Sequence, residues 1–173
     1  TMRQVHKAGE KCFVDYSGAK PSIVDAKTGE RIEVELFVGV MGASNYTFAE
    51  VTATQKSADW IASHVRLVEF FGGTPRALIP DQLKSGVVLA SRYEPGIQRT
   101  YEEWSQHYST TILPARPIKP RDKAKVEGGV LIAQRWILAR LRNVTCFSID
   151  EMNEHIAALV ADLNSRVMKR YGK

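Results

Sequence analysis

The spacing of apolar residues changes near Ser57 from the period of strands to that of helices. Before this point the chain contains apolar or alternating runs separated by turn-forming segments, at 11–17, 32–41 and Tyr46–Thr54. These runs predict an antiparallel meander, with 22–24 and 32–41 forming the two arms of a hairpin. A helical pattern then ends at Gly72-Gly73, and the apolar run 76–79 follows. A strand–helix–strand unit predicts that this last strand lies parallel to an earlier one.

The second half of the chain reads as mostly helical. Its predicted elements are a helix over Gln98–Tyr108, a strand over Thr110–Leu113, a long helix over Arg121–Arg142 and a last helix from Ser148. Glu151 follows Ser148 by three residues, the spacing of a capping box. Together these elements predict an α/β fold with a mixed five-stranded sheet, in which an antiparallel meander is joined by parallel strands and helices cover both faces.

Composition sets the broad class. With 173 residues and 44% hydrophobic residues, the chain is long enough for one domain with a core. The net charge of +5 is concentrated in 116–125, which holds five cations and the single anion Asp122. Such a stretch favours a polyanionic partner, although a solvated charged face would have the same composition. The sequence contains no apolar run of about 18 residues, so it predicts no membrane-spanning helix. Cys12 and Cys146 lack zinc-ligand spacing and are consistent with a reducing cytosol.

Three acidic residues stand in unusual local contexts. Asp15 lies inside an apolar strand, Asp81 closes the apolar run Ala77–Pro80, and Glu127 lies in a basic helical stretch. A carboxylate in an apolar strand is costly unless something compensates its charge, and a divalent cation is a natural counter-charge for three carboxylates. Alternatively, Asp81 caps a following helix and Glu127 forms a surface ion pair with Lys123. Asp15 has no comparable local explanation.

The three acids suit two-metal phosphoryl transfer. Such a site holds two cations about 3.5–4 Å apart across a scissile phosphate. Asp15, with a backbone fixed by ladder bonds on both sides, suits the bridging position between the two metals. Asp81 would complete the ligands of one metal, and Glu127 those of the other. The sequence therefore predicts all three as catalytic metal ligands.

The same contexts resemble a known family. The segments Phe13–Gly18, Ile79–Val87 and Lys123–Glu127 look like the three catalytic blocks of the DDE transposase and retroviral integrase superfamily, and more narrowly of IstA-type insertion-sequence transposases. The resemblance implies a ribonuclease-H-like core, two Mg²⁺ or Mn²⁺ ions in the active site, and cleavage and strand transfer at transposon DNA ends. One departure is Gln82, where the family more often has Asn.

The resemblance also implies a cellular setting. It predicts DNA and an AAA+ ATPase helper as partners, a homo-oligomer, and a bacterial, nucleoid-associated protein of the cytoplasm. It divides the chain into an N-terminal extension (1–10), the catalytic core (11–165) and a tail (166–173) within a larger protein that has flanking DNA-binding domains. Phosphate contacts are expected from five basic residues, Lys84, Lys119, Arg121, Lys123 and Lys125.

Three functions remain open from sequence alone. The first is the catalytic core of a DNA transposase, and the second is a ribonuclease-H-like nuclease without strand transfer. The third is an inactive DNA-binding or assembly module of the same fold. Trp104 and Tyr108 are open in a similar way, because aromatic residues at helical spacing can stack on bases or belong to the core.

Overall fold

A mixed five-stranded sheet forms the centre of the protein. The computed structural model describes residues 7–80, 95–113 and 120–166, and for 95–98 and 120–127 it describes the backbone alone. The strands are β1 (Lys11–Tyr16), β2 (Ser22–Val24), β3 (Arg31–Glu33), β4 (Glu35–Met41), β5 (Thr47–Thr52), β6 (Ala77–Pro80) and β7 (Thr111–Ile112). The helices are α1 (Ser57–Phe71), α2 (Pro95–His107), α3 (Pro120–Leu141) and α4 (Ile149–Ser165).

The strand order of the main sheet is β5-β4-β1-β6-β7, so β1 lies in the middle. It pairs antiparallel with β4 and parallel with β6. The β4–β5 pair is antiparallel and the β6–β7 pair is parallel. This arrangement confirms the predicted combination of an antiparallel meander with parallel strands.

The predicted hairpin is present, but its second arm is divided. β2 and β3 form a separate two-stranded sheet, whereas β4 joins the main sheet. The division falls at Val34, whose N–H donates to the carbonyl oxygen of Pro21 at 3.0 Å. The Val34 side chain is buried in the main core. The prediction of a continuous strand over 32–41 was therefore wrong, because the chain changes its pairing partner at Val34.

Helices cover both faces of the sheet, as predicted. Successive strand residues point to opposite faces, so Val14 and Tyr16 pack against one pair of helices and Phe13 against the other. The first face is covered by α1 and α2, and the second by α3 and α4. Trp104 of α2 is 7% exposed in the first layer, so it belongs to the core and is not available for base stacking. Tyr108, the residue after α2, is half-buried and packs against the same layer.

The helix ends follow the local sequence signals. α1 is followed by Gly72 in the left-handed conformation, with φ of 66°. At the start of α4, Ser148 Oγ accepts from the Glu151 N–H at 3.1 Å. In return, a Glu151 carboxylate oxygen accepts from the Phe147 N–H at 2.7 Å, so that two N–H groups at this helix start have partners.

The helical spacing of the sequence predicts an inward stripe on α3 made of Val130, Leu131, Gln134, Leu138 and Leu141, and the buried stripe differs slightly from it. The buried stripe consists of Val130, Ala133, Gln134, Ile137 and Leu141. Leu131, which the sequence placed on the inward stripe, is 41% exposed. Consecutive helix residues are about 100° apart, so Leu131 cannot share the line that Val130 occupies.

The outer edge of β5 is bonded to side chains of α4. The Asn153 amide accepts from the Val51 N–H at 2.6 Å and donates to the Val51 carbonyl oxygen at 3.0 Å. The Asn164 amide makes the same two bonds with Thr47, both at 2.8 Å. These amides satisfy backbone groups that an unpaired edge strand would expose.

Candidate active site

Asp15 lies in the central strand of the sheet. The side chain is 8% exposed, and its register partner on β4 is the fully buried Val38. Strand alternation places it on the same face as Phe13, under α3 and α4. Because β1 has hydrogen-bonded neighbours on both sides, the backbone fixes where this carboxylate stands.

β6 ends beside this position. The parallel pairing of β1 with β6 matches Val14 to Pro80, the last residue of β6. Ile79 packs against the core beneath α3 and α4, which is the face that carries Asp15. Asp81 follows Pro80 in the sequence but lies outside the described residues, together with Gln82.

α3 crosses the sheet close to the same place. A Cβ added at Gly129 would lie 3.4 Å from Val40 Cγ1, and Val40 is the register partner of Phe13. Two strand residues, about 7 Å, separate Phe13 from Asp15. Glu127 lies in α3 two residues before Gly129, in the part of the helix for which the structure describes the backbone alone.

Two other buried carboxylates of the sheet belong to the opposite face. Glu50 of β5 accepts a hydrogen bond from Ser63 Oγ at 2.5 Å and two from the Arg66 guanidinium, at 2.6 and 2.7 Å. This pairing raises the pKa of Arg66. The strand patterns over 32–41 and Tyr46–Thr54 gave no indication that Glu35 and Glu50 would be buried.

Glu35 of β4 is held in a similar way. It accepts from Lys20 Nζ at 2.5 Å and from the Gln55 amide at 2.7 Å. The contact with Glu35 raises the pKa of Lys20. Burial, with smaller contributions from nearby carboxylates, raises the pKa of Tyr16 to about 12. Because Glu35 and Glu50 bond to neighbouring side chains, a structural role accounts for them.

The predicted DNA-contacting residues are described least. Lys84 and Lys119 lie outside the described residues. Arg121, Lys123 and Lys125 belong to the first turns of α3, for which the structure describes the backbone alone. Their predicted phosphate contacts stay predictions.

Comparison with solved structures identifies the fold. The integrase catalytic core of human T-cell lymphotropic virus 2, solved in complex with magnesium, superposes with a TM-score of 0.61 at 15% identity. The match covers 95% of this chain and 92% of that one. The bovine immunodeficiency virus integrase core gives a TM-score of 0.57 over 90% of this chain and 85% of that one, at 13% identity. At such identities the likeness shows the fold alone, which is that of integrase catalytic cores and is ribonuclease-H-like.

Sequence relatives are more specific. A candidate transposase of insertion sequence IS408 from Burkholderia multivorans is 50% identical over 170 residues, and one of IS1162 from Pseudomonas fluorescens is 42% identical over 170. The IS21 transposase of Pseudomonas aeruginosa is 24% identical over 135 residues. These alignments span 98%, 98% and 78% of this chain but 33%, 30% and 34% of the relatives. No family model matches the chain.

The resemblance drawn from the three acidic blocks is therefore confirmed at the level of the family. The chain is related along nearly its whole length to insertion-sequence transposases, and it has the fold of integrase catalytic cores. It spans about a third of the length of the curated relatives it matches. Among the described helices, none is long and apolar enough to cross a membrane.

Proposed function

We propose that this chain is the catalytic core of a DNA transposase that carries out metal-dependent cleavage and strand transfer at transposon ends. The observation that carries the proposal is the position of Asp15. It is a buried carboxylate in the middle of the sheet, with β6 ending beside it and α3 crossing nearby. The transposase relatives and the integrase-core fold support the same activity.

The sheet register supports Asp81 as the second ligand. If the β1–β6 pairing continues by one residue past Pro80, Asp81 stands beside Asp15 on the neighbouring strand, about 4.8 Å away. Strand alternation from Ile79 would then direct both carboxylates to the face beneath α3. This proposal extends a described pairing by one position.

Helix geometry supports Glu127 as the third ligand. Glu127 precedes the buried Gln134 by seven residues, or nearly two helical turns, so the two positions are almost in line along α3. Gln134 belongs to the side of the helix that faces the sheet. Residue 127 would thus lie on the side of α3 that faces the sheet, close to where α3 crosses β1 and β4.

The donor set fits a hard divalent cation. Carboxylate oxygens are the ligands that Mg²⁺ and Mn²⁺ prefer, and a magnesium ion is present in the integrase core with the same fold. When bound, two such ions would activate the attacking oxygen and stabilise the leaving one. Asp15 would hold the bridging position because its strand is fixed on both sides. Asp81 would complete the ligands of one ion, and Glu127 those of the other.

DNA binding belongs to the same proposal. Lys84, Lys119, Arg121, Lys123 and Lys125 would neutralise phosphates next to the acids and position the duplex without reading its sequence. Within a longer protein, residues 11–165 would form the core between flanking domains. The assembly would be a homo-oligomer working with an AAA+ ATPase helper on the bacterial nucleoid.

The decisive experiment uses the full-length transposase, Mn²⁺ and labelled DNA carrying the ends of its own element. Joined products are expected from the parent protein, and neither cleaved nor joined products from Asp15→Asn. The isosteric change removes the charge that holds the cation while keeping the shape of the side chain. Cleavage without joining would identify a nuclease, and binding without cleavage an inactive module.

Glu35→Gln is the matched control, because it neutralises another buried carboxylate of the same sheet. It should lose the ion pair with Lys20 but keep cleavage and joining. The folded state of Asp15→Asn should be as stable as the parent without metal, or more so, since a buried charge is removed. An unfolded or fully active Asp15→Asn protein would show that Asp15 is not a metal ligand.

A further inference from the structure

A thiol, a carboxylate and an imidazole converge at the start of α4. One ligand atom from each of Cys146, Glu151 and His155 lies within 4.8 Å of the other two. Cys146 is fully buried, Glu151 is half-buried and His155 is exposed. The group therefore has a buried sulfur on one side and an open side towards solvent.

The local fold explains why these atoms meet. Glu151 and His155 are four residues apart on α4 and so share one face of its first two turns. Cys146 lies two residues before the N-cap, and its carbonyl oxygen accepts from the Val24 N–H at 2.8 Å. That bond fixes the α3–α4 loop against the β2–β3 hairpin and holds the thiol in place.

The capping box accounts for only part of this arrangement. One Glu151 carboxylate oxygen accepts from the Phe147 N–H, which leaves the second oxygen available for another contact. Capping requires neither the Cys146 thiol nor the His155 ring.

We propose that Cys146, Glu151 and His155 bind one Zn²⁺ ion. Zinc accepts thiolate, imidazole and carboxylate ligands in tetrahedral sites, and water would occupy the fourth position on the exposed side. Binding would release the thiol proton to solvent. The ion would fix the α3–α4 loop to α4 and, through Cys146, to the β2–β3 hairpin. This soft site differs in donor type from the all-oxygen set proposed around Asp15.

Zinc and cobalt binding test the proposal on the Asp15→Asn protein, in which the other proposed metal site is disabled. After chelator treatment and dialysis, one equivalent of Zn²⁺ should bind and raise the melting temperature. Co²⁺ in its place should show a thiolate-to-cobalt charge-transfer band. Cys146→Ala should remove the band, and His155→Gln should weaken Zn²⁺ binding roughly tenfold or more without unfolding the chain.

Matched variants separate the site from general effects. Glu151→Gln keeps an acceptor for the Phe147 N–H while removing the charge, so it should weaken Zn²⁺ binding but leave the helix start intact. His107→Gln changes another exposed histidine and should have no effect. Absence of Zn²⁺ binding, a cobalt band that persists in Cys146→Ala, or equal affinities of His155→Gln and His107→Gln would overturn the proposal. None of these results bears on transposase activity.

Discussion

The two asparagines of α4 that bond to β5 give the sharpest stability prediction. In Asn153→Ala, the Val51 N–H and carbonyl oxygen lose their partners, originally at 2.6 and 3.0 Å. The Val51 side chain is 1% exposed, so water reaches these backbone groups poorly. An unsatisfied buried polar group costs about 1–3 kcal/mol. Allowing partial relaxation, we expect a loss of about 2–4 kcal/mol in the free energy of unfolding.

Asn164→Ala should behave alike, because Asn164 makes the same pair of bonds with Thr47. Four residues, about 13 Å of strand, separate Thr47 from Val51, so the two losses should add to within about 0.5 kcal/mol. Asn153→Asp is a finer test. It keeps the acceptor for the Val51 N–H but places a carboxylate oxygen against the carbonyl oxygen, and should be at least as damaging as alanine.

Urea unfolding of each variant measures these changes, with Asn143→Ala as the matched control. Asn143 is exposed just after α3, and its replacement should change stability by less than about 0.5 kcal/mol. A loss below that value in Asn153→Ala would refute the view that the amide substitutes for a strand partner. The double variant should also self-associate more, because its β5 edge offers unpaired backbone groups to another chain.

Two further predictions concern the layer between α1 and the sheet. Burial lowers the pKa of His64 to about 4, whereas the unfolded chain titrates near 6.5, so stability should fall by up to about 3 kcal/mol between pH 6.5 and 4. His64→Phe should flatten this dependence while His107→Gln, at an exposed histidine, leaves it unchanged, and equal slopes in the two variants would contradict it. In Gly39→Ala the added Cβ would overlap Leu67 Cδ1, so unfolding experiments should show a loss of about 1–3 kcal/mol. Leu67→Val should be less damaging in that background than alone, and additive losses would exclude the overlap.

The periodic parts of the fold were predictable because local signals agree with the tertiary structure. The apolar run of β1, the glycine after α1 and the capping box before α4 each depend on residues close in sequence. Asp15 stood out for the same reason, since a carboxylate in an apolar strand is visible without knowing its neighbours. The fold class and the family could therefore be inferred before the structure.

What sequence could not provide were features decided by distant partners. Val34 changes sheets because of Pro21 and the core beneath it. Glu35 is buried because Lys20 and Gln55 come to it from other segments. The prediction that Leu131 faces inward was wrong, because the helical period shows which residues share a side of α3 but not which side packs against the sheet. The hydrogen bonds between the asparagine side chains of α4 and the backbone of β5 join residues more than a hundred positions apart.

The proposed site depends most on the direction of β6. In the parallel pairing, β6 ends beside Val14, one residue from Asp15. An antiparallel β6 in the same register range would instead end beside Lys11, four residues and about 13 Å from Asp15. A carboxylate at residue 81 could not then share a cation with Asp15. Because α1 carries the chain across the sheet before β6, and such crossovers join parallel strands, the helix is what makes two acids 66 residues apart plausible neighbours.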